Sequence, residues 1–129
     1  MGAAAEVTAE NFKEVVESHP IVMLDFWAEW CGPCRAFGPI FEKAAAQHSD
    51  IYFGKVNTEV EQQLAGAFEI RSIPTLMVFR DKVLLYAQPG ALPEPALTEL
   101  IQQIKALDMD QVRKEIAAMD KKGAGTGQG

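Results

Sequence analysis

Cysteine is almost missing from this chain: Cys31 and Cys34 are the only two in 129 residues. His19 and His48 are the only histidines, and they lie far apart in sequence. The four ligands of a structural zinc site are therefore not on offer, and no metal is expected. Positive charge is also short. Twelve Lys and Arg face eighteen Asp and Glu, a formal charge of −6, so there is no broad positive field for phosphate backbones and no nucleic-acid partner is expected. No apolar run is long enough to cross a bilayer, which argues against a membrane partner. Met1 to Glu6 lacks the basic and apolar regions of a secretory signal. The expected location is therefore a reducing cytoplasm, where a stable structural disulfide is disfavoured. No internal repeat is visible.

What remains is a globular pattern. The length fits one compact domain with little to spare, and a hydrophobic fraction of 48% argues against disorder. Ala3 to Val7 reads as an edge strand. Asn11 reads as the N-cap of a helix carrying Phe12, Val15 and Val16, ended by Ser18-His19-Pro20. Ile21 to Trp27 is almost continuously apolar, as in a strand buried on both faces, with Asp25 its single charge. Phe37, Ile40, Phe41, Ala44 and Ala45 form a helical stripe interrupted by Pro39, where a kink is expected. Ile51 to Val56 reads as a strand. Thr58 and Glu61 have capping-box spacing before a short helix through Leu64 and Phe68. Thr75 to Phe79 and Val83 to Gln88 read as a hairpin whose turn, Arg80-Asp81-Lys82, lacks glycine. Pro93 and Pro95 open a helix with Leu97, Leu100, Ile101 and Ile104. Asp108 or Asp110 caps one more, with Val112, Ile116 and Met119 on one face. This order gives an α/β fold: a mixed sheet, parallel in its early βαβ units and antiparallel at the late hairpin, with helices on both faces. The expected division is a domain over 1–107, a helical extension over 108–122 and a flexible Gly-rich tail over 123–129.

The chemistry concentrates at Trp30-Cys31-Gly32-Pro33-Cys34, after a strand and at the start of a helix. Two thiols at this spacing close into a disulfide and reopen without unfolding their surroundings. Exchange needs a thiolate, and a helix N-terminus favours one at Cys31. Cys34, one turn further in, is expected to be more buried and to attack the mixed disulfide intramolecularly. Pro33 removes an N–H that would otherwise stabilise the Cys31 anion, so Gly32 and Pro33 tune the pair toward reduction. Asp25, a carboxylate inside an apolar strand, should have a raised pKa and could accept the proton of Cys34.

The segment Val22 to Arg35, VMLDFWAEWCGPCR, closely resembles the active-site segment of bacterial thioredoxins, and Ile70 to Leu76, IRSIPTL, resembles that family's cis-proline loop. Pro39, Lys55 and Gly90-Ala91-Leu92 fall where the family has its helix kink, buried lysine and groove glycine. Pro89, Lys82 and Arg35 depart from the usual residues, and the segment after Lys105 extends beyond the usual end of the fold. The resemblance implies the thioredoxin fold and a protein-disulfide reductase serving cell redox homeostasis. Cys31 would be its nucleophile, Cys34 the resolving thiol, Asp25 the proton acceptor and Lys55 the modulator of Asp25. It also implies a cis bond between Ile73 and Pro74, and a shallow substrate groove walled by Trp30, Gly32, Pro33, Ile73, Pro74, Gly90 and Ala91. Protein disulfides would be the substrates and an NADPH-dependent flavoenzyme, thioredoxin reductase, the recycling partner. The protein would be a monomer without a bound cofactor. The rival from another class is a binding module or co-chaperone of the same fold that acts through its C-terminal extension.

Overall fold

The computed structural model describes residues 3–125, with side chains described as far as residue 120. Five strands, β1 (Ala5–Glu6), β2 (Ile21–Trp27), β3 (Tyr52–Asn57), β4 (Thr75–Arg80) and β5 (Val83–Pro89), form one sheet in the order β1-β3-β2-β4-β5. Among the described residues there are five helices, α1 (Phe12–Ser18), α2 (Gly32–Gln47), α3 (Gln62–Ala67), α4 (Glu94–Ala106) and α5 (Met109–Gly125). β1, β3 and β2 are mutually parallel, and β4 and β5 add antiparallel neighbours. This is the expected mixed thioredoxin fold with a C-terminal helix. Among the described residues no helix is long and apolar enough to cross a membrane.

Central placement explains the apolar run of β2. Paired on both edges and covered on both faces, its first six residues are buried. Side chains alternate between faces. Val22, Leu24 and Phe26 join Val56, Met77 and Phe79 in a core closed by Val15 and Val16 of α1 and Leu64 of α3. Met23, Asp25 and Trp27 point the other way, toward the face where Phe41 of α2 meets Phe53 of β3 edge-on.

Local signals were redirected in two places. Asn11 makes no side-chain cap on α1. Its Oδ1 accepts the Thr8 N–H while Thr8 Oγ1 accepts the Asn11 N–H, so the reciprocal box begins at Thr8. Thr58 and Glu61 do not form a box. The Thr58 hydroxyl donates to the Trp27 carbonyl, and Glu61 accepts the Ala9 N–H, so both side chains tie distant segments together instead. The hairpin turn resolves as well: Asp81 and Lys82 both have positive φ (51° and 71°), the signature of a type I′ connection.

The chain divides into two compact units, Met1–Thr98 and Glu99–Gly129. In the second unit Ile101, Ile104 and Met109 are buried. Asp108 Oδ1 accepts the N–H groups of Asp110 and Gln111, which makes Asp108 the cap of α5. Ile116 and Met119 are exposed. α5 continues through residues 123–125, where a tail was expected, and residues 126–129 of that tail lie outside the described residues.

Candidate active site

Strand directions gather the chemistry at one end of the sheet. β2 and β3 are parallel, so Trp27 and Asn57 end side by side. β4 runs against β2, so its first residue, Thr75, sits opposite Phe26. The last residue of β5, Pro89, pairs with Thr75, and a proline is tolerable there because β5 is an edge strand. The loops beyond these ends carry Trp30 to Cys34, Ile73-Pro74 and Gly90-Ala91.

Cys31 is the N-cap of α2, in extended backbone (φ −89°, ψ 116°). Its Sγ accepts the Cys34 N–H at 3.2 Å. A sulfur here does what a serine or aspartate oxygen does at other helix starts, satisfying a donor that has no carbonyl partner. Pro33 leaves no donor of its own in that first turn. Cys31 and Cys34 are joined in a disulfide, with Cα atoms 5.2 Å apart. The structure is thus that of the oxidised protein. Both cysteines are 4% exposed, so the deeper burial expected of Cys34 is not seen in this state. The cause is a cover over Cys31: Trp27 and Ile73 pack on the pair, and the Ile73 carbonyl oxygen stands 3.7 Å from Cys31 Sγ.

The Ile73–Pro74 peptide is cis, and the Pro74 carbonyl accepts the Gly90 N–H at 2.8 Å. Gly90 has φ +109°, a conformation that strains any residue with a side chain. Ile73, Pro74 and Gly90 are thereby brought together beside the disulfide. Trp30 is 65% exposed, and its indole N–H donates to the Glu59 carboxylate. Glu59 was not anticipated, since nothing in its local sequence marks it. Gly32, Pro33, Gly90 and Ala91 are exposed around this surface. A shallow hollow of about 200 Å³, lined by Arg71, Ser72, Thr75 and Pro89 among others, adjoins the cis-proline loop.

Asp25 is fully buried, and neither carboxylate oxygen has a hydrogen-bond partner among the described residues. Burial pushes its pKa up from 3.8 to about 7; the Lys55 ammonium pulls it back in part, and the Glu42 carboxylate adds to the rise. Lys55 is in register with Asp25 on the adjoining strand. Its ammonium lies 4.9 Å above the Trp27 ring and 3.9 Å from Glu42 Oε2. A cleft of about 390 Å³ lined by Trp27, Cys34, Pro39, Glu42 and Lys55 opens on this side of α2. Cys34 thus lines an open cleft that also carries charged side chains. Glu42 was missed from the sequence, where it reads as one polar position on a helix.

The geometry has clear counterparts. The family model described as Thioredoxin matches residues 3–116. A thioredoxin-named protein of Streptomyces coelicolor is 56% identical over 117 residues, covering 91% of this chain and 87% of its own length. Thioredoxin 1 of Synechococcus elongatus is 44% identical over 105 residues, covering 80% of this chain and 98% of its own. Among solved structures, a mutant thioredoxin of Halobacterium salinarum superposes with a TM-score of 0.75 at 32% identity, over 81% of this chain and 93% of that one.

Proposed function

The chain belongs to the thioredoxin family, and from that we propose that Cys31 is the attacking thiolate and Cys34 the resolving thiol of a protein-disulfide reductase. The protein is a thiol–disulfide oxidoreductase, and Cys31–Cys34 is its redox pair. The observation that carries the assignment of roles is the capping geometry. Cys31 Sγ is the acceptor at the positive end of α2, where a sulfur anion is stabilised before any substrate arrives.

In the dithiol form the Cys31 thiolate attacks one sulfur of a substrate disulfide. A Cys31–substrate bond forms, the substrate S–S bond breaks, and the leaving thiolate takes a proton. Cys34 then gives its proton to Asp25 and attacks Cys31 Sγ. The Cys31–Cys34 bond forms and the second substrate sulfur leaves, so two electrons have passed from protein to substrate. A carboxyl titrating near neutrality is well matched to that transfer, and Lys55 sets how strongly it holds the proton. Trp30, Gly32, Pro33, Ile73, Pro74, Gly90 and Ala91 frame the approach of an extended substrate segment, which the Ile73 backbone can meet as an added strand. Thioredoxins reduce protein disulfides and are generally re-reduced by thioredoxin reductase. We assign this chain an NADPH-dependent reductase of that kind as partner and a reducing cytoplasm as its place of work. We also assign it a catalytic domain over 1–107 and an extension over 108–122. The alternative, a binding module acting through the C-terminal extension, is not favoured.

Turnover of a protein disulfide with NADPH and a thioredoxin reductase tests the assignment. Wild type is expected to turn over, Cys31→Ser to be inactive, and Cys34→Ser to trap a one-to-one mixed disulfide. Turnover by Cys31→Ser, or trapping through Cys34 in place of Cys31, would reverse the roles.

A further inference from the structure

Glu42 sits where three parts of the molecule meet. It projects from α2 on the line of Cys34 and Gly38, positions four and eight residues apart that share a helix face. All three line the cleft beside Lys55. Gly38 contributes no side chain, and a Cβ there would meet nothing within 4 Å, so the space between Cys34 and Glu42 is open. The two oxygens of Glu42 are committed in different directions. Oε1 accepts the Ala4 N–H at 3.0 Å, which pins the carboxylate to the segment entering β1. Oε2 stands 3.9 Å from Lys55 Nζ, and both side chains are 28% exposed.

Lys55 therefore has three acidic neighbours: Asp25 and Glu6 in register with it on the two flanking strands, and Glu42 on α2. Asp25 is buried, whereas the Glu42 side chain is partly exposed at 28%. Glu29 and Arg35 also line the cleft. Arg35 donates to the Glu29 carbonyl, and Lys43 pairs with Glu94 at 2.8 Å. On its remaining flank Asp25 is paired with Leu76 of β4, which carries no charge. The charged groups acting on Asp25 are thus Lys55 from β3 and Glu42 from α2.

We propose that Glu42 is a positioning residue for the proton step: held by the Ala4 N–H, it draws the Lys55 ammonium toward the cleft mouth and so keeps Asp25 protonated closer to neutrality. The direction follows from two effects of one sign. The Glu42 charge opposes a second negative charge at Asp25, and it competes for the cation that would otherwise favour that charge. The edge segment before β1 thereby contributes to the chemistry at Cys34 without touching it. This deepens the role given to Asp25 above and rests on it.

Glu42→Gln keeps an oxygen for the Ala4 N–H and removes only the charge. In the full-length oxidised protein, where neither cysteine titrates, the Asp25 side-chain carbon can be followed by NMR against pH. The expected result is a midpoint lower than wild type by on the order of half a pH unit or more, the scale of one charge acting through a partly wet cleft. Glu42→Asp, which keeps the charge, is expected to restore most of it. A merely structural role would lower the melting temperature and leave the midpoint in place, and an unmoved midpoint in Glu42→Gln overturns the proposal. The pH dependence of mixed-disulfide resolution supplies the second readout. If the carboxyl midpoint falls while the resolution profile stays fixed, the Glu42 effect on the Asp25 carboxyl stands, but Asp25 loses its role as proton acceptor and Glu42 its part in the proton step.

Discussion

At the scale of single residues, Asp25 has the most consequences. An acid whose pKa is raised on folding binds more protons folded than unfolded between its two pKa values. Its ionisation therefore opposes folding. Nothing is lost below about pH 4, where both states are protonated; the loss grows as pH rises and is complete above about 7. At roughly 1.4 kcal/mol per pH unit, the displacement from 3.8 to about 7 amounts to about 4 kcal/mol at most. Asp25→Asn stays neutral at every pH. Its stability relative to wild type is expected to improve steadily between pH 4 and 8, by up to that amount, in guanidinium melts run across the range. A pH-independent difference would show that burial does not perturb the carboxyl. The same variant should slow resolution of the mixed disulfide at neutral pH more than its formation, read by stopped-flow on the two steps. Much of this was legible in the sequence because it is local: two cysteines three apart before a helix, and one charge in a seven-residue apolar run. The equal burial of Cys31 and Cys34 was not, because the cover over Cys31 comes from Ile73, forty-two residues away. Glu42 and Glu59 were illegible for the same reason. Each is an ordinary surface acid until the fold brings Lys55 or Trp30 beside it.

At the scale of elements, periodicity found the strands and helices, while side-chain capping held at Asp108 and went astray at the earlier helices. Thr58 and Glu61 had the right spacing for a box, yet each gained more from a partner across the chain. Asn11 closes a box rather than opening one, since its reciprocal partner is Thr8. Proline and glycine give sharper tests. The β4–β5 turn places Asp81 and Lys82 at positive φ without glycine at either position. Lys82→Gly relieves that cost and is expected to stabilise the protein by about 0.5–1 kcal/mol, measured as a shift of the denaturant midpoint at constant slope. Gly54 is the opposite case. A Cβ there would lie 2.5 Å from Val7 and 2.9 Å from Leu24, because the strands on either side of β3 close over it. Gly54→Ala is expected to cost about 1–3 kcal/mol by overpacking, seen as a lower melting temperature.

For the whole molecule, the topology settles where chemistry can occur. The strand order was not written in any one segment, but alternating helices and strands with short links, then a hairpin, leave few arrangements open, and the mixed sheet is among them. The second unit is the part that sequence explained least. Its stripe of Val112, Ile116 and Met119 ends in exposed side chains. A chain ended at residue 107 loses buried Met109 and is expected to melt earlier while keeping disulfide turnover, because every reactive group precedes that point. Loss of turnover in a truncated chain that still folds would bring the extension into the mechanism. The hairpin tip has a separate use. Asp81 and Lys82 stand at the far end of β4 from Thr75, a full strand away, on the order of 20 Å for six residues. The molecule thus has a handle: a fluorophore or surface tether grafted at that bend can report on or immobilise the protein while its reactive end stays free to meet other proteins.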